Sequence, residues 1–101
     1  MDVTVSVEGS NVRVSPVGEL DAHNCGEVGD ALRSAAEGTS AANAVIDASG
    51  LSFIDSSAIS ELLRLREELA DDGGSLVMIE VQPSVRRVLE ITGLLETFGV
   101  S

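Results

Sequence analysis

Between residues 44 and 79 the hydrophobic period of the chain switches twice, and this limits its possible folds more than any other feature. Ala44-Val45-Ile46-Asp47-Ala48 is short and almost continuously apolar, as expected of a strand buried inside a parallel sheet. Ala58, Ile59, Leu62, Leu63, Leu65 and Leu69 then recur with the 3.6-residue period of a helix. Glu61, Arg64, Glu67, Glu68 and Asp71 keep its other side wet. Gly73-Gly74 stops the helix, and Leu76-Val77-Met78-Ile79 with Val81 reads as a second strand. A strand–helix–strand crossover of this length is right-handed and forces its two strands to run parallel.

The remaining segments extend that unit. Val3, Val5 and Val7 alternate with polar residues, the pattern of a half-buried strand. Glu8-Gly9-Ser10-Asn11 supplies a turn, and Val12, Val14 and Pro16-Val17 form the partner strand of a hairpin. Asp21 is a good N-cap for a helix reaching about Ala36, with Cys25, Val28, Ala31, Leu32 and Ala35 facing inward. Gly26 and Gly29 weaken that helix, so tertiary packing must hold it. Ser49-Gly50-Leu51-Ser52-Phe53-Ile54 reads as a loop, with Phe53 and Ile54 anchoring it in the core. Pro83-Ser84 opens a last helix from Val85 to about Ile91, closed by Gly93; Phe98 and Val100 are expected to complete the core. The expected fold is α/β in the order ββαβαβα. Its small mixed β-sheet has one antiparallel N-terminal hairpin strand, the remainder parallel, and three to four helices packed on it. The 101 residues are expected to form a single domain spanning 1–101, since two would each be too small to bury a core.

Charge excludes several classes of partner. Seventeen acidic residues face six basic ones, all arginine, for a formal charge of −11. Such a surface repels phosphate backbones and anionic lipid, so neither nucleic acid nor direct membrane binding is expected. A protein with basic patches is the better partner. Two Phe with no Trp or Tyr leave no aromatic platform for stacking bases or sugars. The single Cys25 can form no internal disulfide, there is no leader-like N-terminal pattern, and no apolar run reaches membrane-spanning length; the cytoplasm is the expected compartment. His23 and Cys25, two residues apart, do not share a helix face and have no second ligand pair, so no metal or cofactor is expected.

Binding sites in open α/β sheets gather beyond the carboxyl ends of the parallel strands. Two stretches fall there: Glu19-Leu20-Asp21, and Asp55-Ser56-Ser57 at the start of the leucine-rich helix. Both are rich in cap residues, and a rigidly held serine pair at a helix start is presented as a substrate would be. It is not a nucleophile. No Gly-x-Ser-x-Gly elbow surrounds it, and the only His belongs to another helix. There is no glycine-rich phosphate loop and no Lys in the chain, which also disfavours reading Asp21, Asp47 and Asp55 as a magnesium or phospho-acceptor set. The protein is not expected to be an enzyme.

Ile46-Asp47-Ala48-Ser49-Gly50-Leu51-Ser52-Phe53-Ile54-Asp55-Ser56-Ser57, followed by the leucine-rich helix, resembles the signature of STAS domains, and more specifically of bacterial anti-sigma factor antagonists. Gly18-Glu19-Leu20-Asp21, Gly73-Gly74 and Pro83 to Leu89 leading to Thr92-Gly93-Leu94 match in the same order. The resemblance implies a regulator that binds an anti-sigma factor serine kinase and releases the sigma factor. Phosphorylation on the second serine, Ser57, would break that complex and a phosphatase would restore it. The docking surface would comprise Asp21, Asp55, Ser56, Ala58, Ile59 and Leu62. The family usually has Gly where this chain has Ala58, and commonly again where it has Ser60. The alternative within the same family is an adaptor docked on a transporter ATPase or permease, with no phospho-switch.

Overall fold

A computed structural model describes residues 1–100. Strands β1 (Asp2–Glu8) and β2 (Asn11–Leu20) form the hairpin, followed by helix α1 (Cys25–Ala36) and strand β3 (Asn43–Asp47). A 3-10 turn at Ala48–Gly50 leads into β4 (Leu51–Ile54), and α2 (Ser56–Asp71), β5 (Ser75–Ile79) and α3 (Pro83–Ile91) complete the order. The sheet runs β1-β2-β3-β5, with β4 paired to the far end of β2. Only β1 is antiparallel; β2–β3, β2–β4 and β3–β5 are parallel. This is the expected ββαβαβα arrangement, with a short fifth strand where the sequence reads as a loop.

Gly18 makes that strand possible. Its φ of +113° is closed to side-chain-bearing residues, and the register of β2 shifts between Gly18 and Glu19. Up to Val14 the strand pairs with β3; beyond the bulge Glu19 and Leu20 pair with Phe53 and Ile54. One strand thus serves two neighbours in succession. Leu51 and Ile54 are buried, whereas Phe53 is 45% exposed and does not anchor the core as expected.

One face of the sheet carries Val12, Val14, Ala44, Ile46, Leu76 and Met78, all buried. Helix α1 packs against β1, β2 and α2, while α2 also packs against β5. On α2, Ala58, Ile59, Leu62, Leu65 and Leu69 are buried, as their period requires. Arg33 clamps the two helices, its Nη2 3.0 Å from Glu61 Oε1 and its Nε 3.0 Å from Glu68 Oε2. A Cβ on Gly29 would meet Arg33 and Glu61 at 3.1 and 3.3 Å, so this glycine makes room for the clamp. Both later helices end in a Schellman motif. The N–H groups of Gly74 and Gly73 donate to Leu69 and Ala70, and those of Leu94 and Gly93 to Leu89 and Glu90.

The chain beyond α3 returns to the sheet. Phe98 is fully buried and its carbonyl accepts the Met78 N–H at 2.8 Å, while Val100 packs partly buried against the core. The first strand differs from expectation in burial. Val3 is partly covered, but Val5 and Val7 are 38% and 51% exposed because β1 forms the edge of the sheet.

Candidate functional site

Asp55 follows β4 directly and is the N-cap of α2, with an extended backbone. Its Oδ1 accepts the Ala58 N–H at 2.9 Å, satisfying one of the four donors that every helix start leaves open. Its Oδ2 accepts the Ala22 N–H at 3.1 Å from the segment that leaves β2. The Asp55 N–H donates to the Leu20 carbonyl at 3.1 Å. One residue therefore ties the two sequence motifs together.

Asp21 works differently from the role first assigned to it. It is not the N-cap of α1: that helix begins a turn later, with Asn24 at the cap position. The Asp21 Oδ1 accepts the N–H groups of His23 and Asn24 at 2.9 and 3.3 Å, and Asn24 Oδ1 accepts the Asp21 N–H at 2.9 Å. Asn24 Nδ2 also donates to the Glu19 carbonyl at 2.7 Å. Residues 19–24 thus form a self-bonded turn against the start of α2. Asn24, itself a cap-type residue, was the signal in the sequence for this later start.

Ile54 and Ala58 are buried on either side of the serine pair, so Ser56 and Ser57 project outward and are exposed. They occupy the first two helical positions of α2. Ala58 is fully buried with its N–H held by Asp55, so its methyl contributes to the core and leaves the surface beside Ser57 unobstructed. Ile59 and Leu62 are likewise buried. These three residues cannot form part of a docking surface themselves; they fix its shape from beneath. Phe53 and its register partner Glu19, both exposed, take their place at the surface. Of the two aromatic residues in the chain, Phe98 is wholly buried and Phe53 is exposed on the strand that leads into the serine pair.

Asp47 stays apart from this site. Its carboxylate lies 2.7 Å from Arg13 Nη2, and it accepts the Ser49 N–H at 3.0 Å. The Arg13 hydrogen bond, followed by the Ser49 bond, holds its pKa below the ordinary carboxylate value. Asp21, Asp47 and Asp55 thus each have separate structural tasks. Among the described residues no group of three or more His, Cys, Asp and Glu is placed to hold a metal, and no helix is long and apolar enough to cross a membrane.

The family model for the STAS domain matches residues 2–101. An anti-sigma F factor antagonist of Paenibacillus polymyxa is 31% identical over 89 residues, covering 88% of this chain and 74% of that protein. BtrV of Bordetella bronchiseptica, named as an anti-sigma factor antagonist, is 37% identical over 57 residues, covering 56% of this chain and 49% of that protein. The solved structure of the anti-sigma factor antagonist SpoIIAA in its unphosphorylated form superposes with a TM-score of 0.79 at 26% identity, covering 92% of this chain and 82% of that one.

Proposed function

The chain belongs to the STAS domain family, and on that premise we propose that it is an anti-sigma factor antagonist whose Ser57 accepts a phosphate from its partner. The partner is an anti-sigma factor with serine-kinase activity, bound in the cytoplasm through the surface formed by Asp21, Ser56, Ser57, Glu19 and Phe53. Binding displaces the sigma factor; phosphorylation ends the binding, and a phosphatase reverses it. The observation that carries this reading is the presentation of Ser57: exposed on the first turn of α2, on a backbone fixed by buried Ile54 and Ala58 and by the Asp55 cap.

The physics of that position supports a switch acting on binding and not on folding. A phosphoserine adds about −1.5 to −2 charges and three acceptor oxygens. At a helix N-terminus the unsatisfied N–H groups and the macrodipole accommodate the charge, so the domain stays folded. The surrounding surface is acidic, with Glu19, Asp21 and Asp55 on adjoining segments of a chain whose formal charge is −11. A partner that docks on the bare hydroxyl would meet a desolvated dianion instead, and like charge or missing counter-charge at an interface costs several kcal/mol. The chemistry resides in the kinase and its ATP, so this chain supplies only the acceptor hydroxyl.

The test combines the purified chain with the kinase-type anti-sigma factors encoded in its own genome. One of them should bind the unmodified chain and, given ATP and magnesium, transfer one phosphate to it and release it. Ser57→Ala should bind and never be released by ATP. Failure of every candidate to bind the unmodified chain would overturn the proposal.

A further inference from the structure

The sheet ends on one side at β5 and on the other at β1. At β5 the returning chain supplies a partner, the Phe98 carbonyl accepting the Met78 N–H at 2.8 Å. The outer margin of β1 has no such cover. Its seven residues pair with β2 in unbroken register and include no proline, lysine or bulge, the devices that usually blunt a sheet edge.

The hairpin decides which backbone groups face outward. Its two-residue Gly9-Ser10 turn makes Glu8 and Asn11 a hydrogen-bonded pair, so Ser6–Arg13, Thr4–Ser15 and Asp2–Val17 are hydrogen-bonded as well. Val3, Val5 and Val7 take the alternate positions, opposite Pro16, Val14 and Val12, and turn their N–H and C=O groups away from β2. Pro16, with no N–H to donate, suits a position that makes no bond to β1. The three valine side chains share a face with Val12, Val14 and Pro16, all buried. Val3 is partly covered there, whereas Val5 and Val7 are 38% and 51% exposed.

The strand Asp2-Val3-Thr4-Val5-Ser6-Val7-Glu8 is also a chemical palindrome. Outward from Val5, each direction gives a hydroxyl, a valine and then an acid. A second β1 laid antiparallel about Val5 sets Val5 on Val5 and Val3 on Val7, the positions whose N–H and C=O groups face outward. Each of those groups then meets its complement across a two-fold axis. The same register sets Thr4 beside Ser6, and it sets Asp2 opposite Glu8 at both ends of the ribbon. Like charges directly opposite destabilise a strand pair. Among the described residues neither carboxylate has an ion-pair partner, and Arg13, on their face of the hairpin, is held by Asp47 at 2.7 Å.

We propose that β1 is a self-pairing strand through which two copies of the chain join antiparallel about Val5, and that the facing Asp2–Glu8 pairs set the concentration at which they do so. The occupant is a second copy because the edge is complementary to itself in backbone, apolar and hydroxyl positions alike. The formal charge of −11 on each chain weakens any dimer; the acid pairs weaken this register in particular. Neither Ser57 nor the surface around it takes part, so the dimer is independent of the phospho-switch.

The experiment compares the full chain with three sets of variants by analytical ultracentrifugation at neutral pH, up to about 1 mM. Asp2→Asn with Glu8→Gln should dimerise about tenfold more tightly than wild type, the size expected from relieving two like-charge contacts. Glu67→Gln with Asp71→Asn removes the same charge from the exposed side of α2 and should stay within threefold of wild type. Adding Val5→Pro to the first pair should abolish the dimer, because the N–H it removes faces outward and proline is tolerated at such an edge position. Val5→Lys, which sets two cations on the axis, gives the same test if the proline variant does not fold. Amide exchange in the dimer should slow at Val3, Val5 and Val7. The proposal is overturned if the first pair gains less than threefold, if the α2 pair gains as much, if the dimer survives both Val5 substitutions, or if the new protection lies elsewhere.

Discussion

Replacing Asp55 with alanine removes two hydrogen bonds that no other residue can supply. The first is the N-cap bond to Ala58 at 2.9 Å, and loss of a cap costs about 1 kcal/mol, within a range of roughly 0.5–2. The second is the strap to the Ala22 N–H at 3.1 Å, worth about 1 kcal/mol for a hydrogen bond at a partly solvated site. Together they predict a loss of about 2 kcal/mol, or roughly 8–16 °C in Tm for a domain of this size. Asp55→Asn separates the two contributions. Asn caps a helix as well as Asp but has one acceptor oxygen in place of two, so it should lose only the strap, about 1 kcal/mol. Urea denaturation followed by circular dichroism measures both variants, with an unchanged slope confirming that the denatured state is unaffected. Amide exchange should accelerate at Ala22 in both variants but at Ala58 only in Asp55→Ala. The reasoning is refuted if Asp55→Ala costs less than about 0.5 kcal/mol, or if the two substitutions are equally damaging.

Three further outcomes follow from the same structure. Gly26→Ala should stabilise the protein by about 0.5–1 kcal/mol, since Gly26 lies in α1 with a negative φ and open space where the methyl would go; a lower Tm would contradict this. Asp47→Asn should be less stable than wild type at neutral pH: its folded-state pKa is lowered, so its contribution is present above the unfolded value near 4 and disappears as pH falls through the folded value. The two denaturation midpoints should converge in strong acid, and a gap that stays constant down to pH 2 would refute the assignment. Phe53→Ala should weaken partner binding by about 2 kcal/mol, roughly thirtyfold, as an exposed aromatic anchor does, while the fold persists; calorimetric affinity equal to wild type would exclude Phe53 from the interface.

The order of elements was readable because each of the long ones repeats with a clear period. The apolar run ending at Asp47 and the leucines of α2 could scarcely be anything else, and Gly73 and Gly93 marked helix ends correctly. Strand β4 was not readable. Its four residues do not alternate, and it exists because the bulge at Gly18 turns β2 towards it, a relation between distant segments. The exposure of Phe53 has the same origin, since hydrophobicity says that a residue favours burial but not which face a register will give it. Val5 and Val7 show this too: their alternation marked a strand, while their position at the sheet edge left them partly uncovered. At the candidate site, Ser57 and Asp55 were evident as cap residues at the start of a strong helix. The inclusion of Ala58, Ile59 and Leu62 in a docking surface ran against their own helical period, which already assigned them to the core.

The central claim is that Ser57 carries a reversible phosphate. Intact-mass and peptide mass spectrometry on the protein isolated from its native host, under both growth and stress, tests it most directly. The account predicts a mixture of unmodified and singly phosphorylated chains, with the phosphate on Ser57 and a ratio that changes between the two conditions. Ser57 unmodified in both conditions, or the phosphate on another residue, would contradict it.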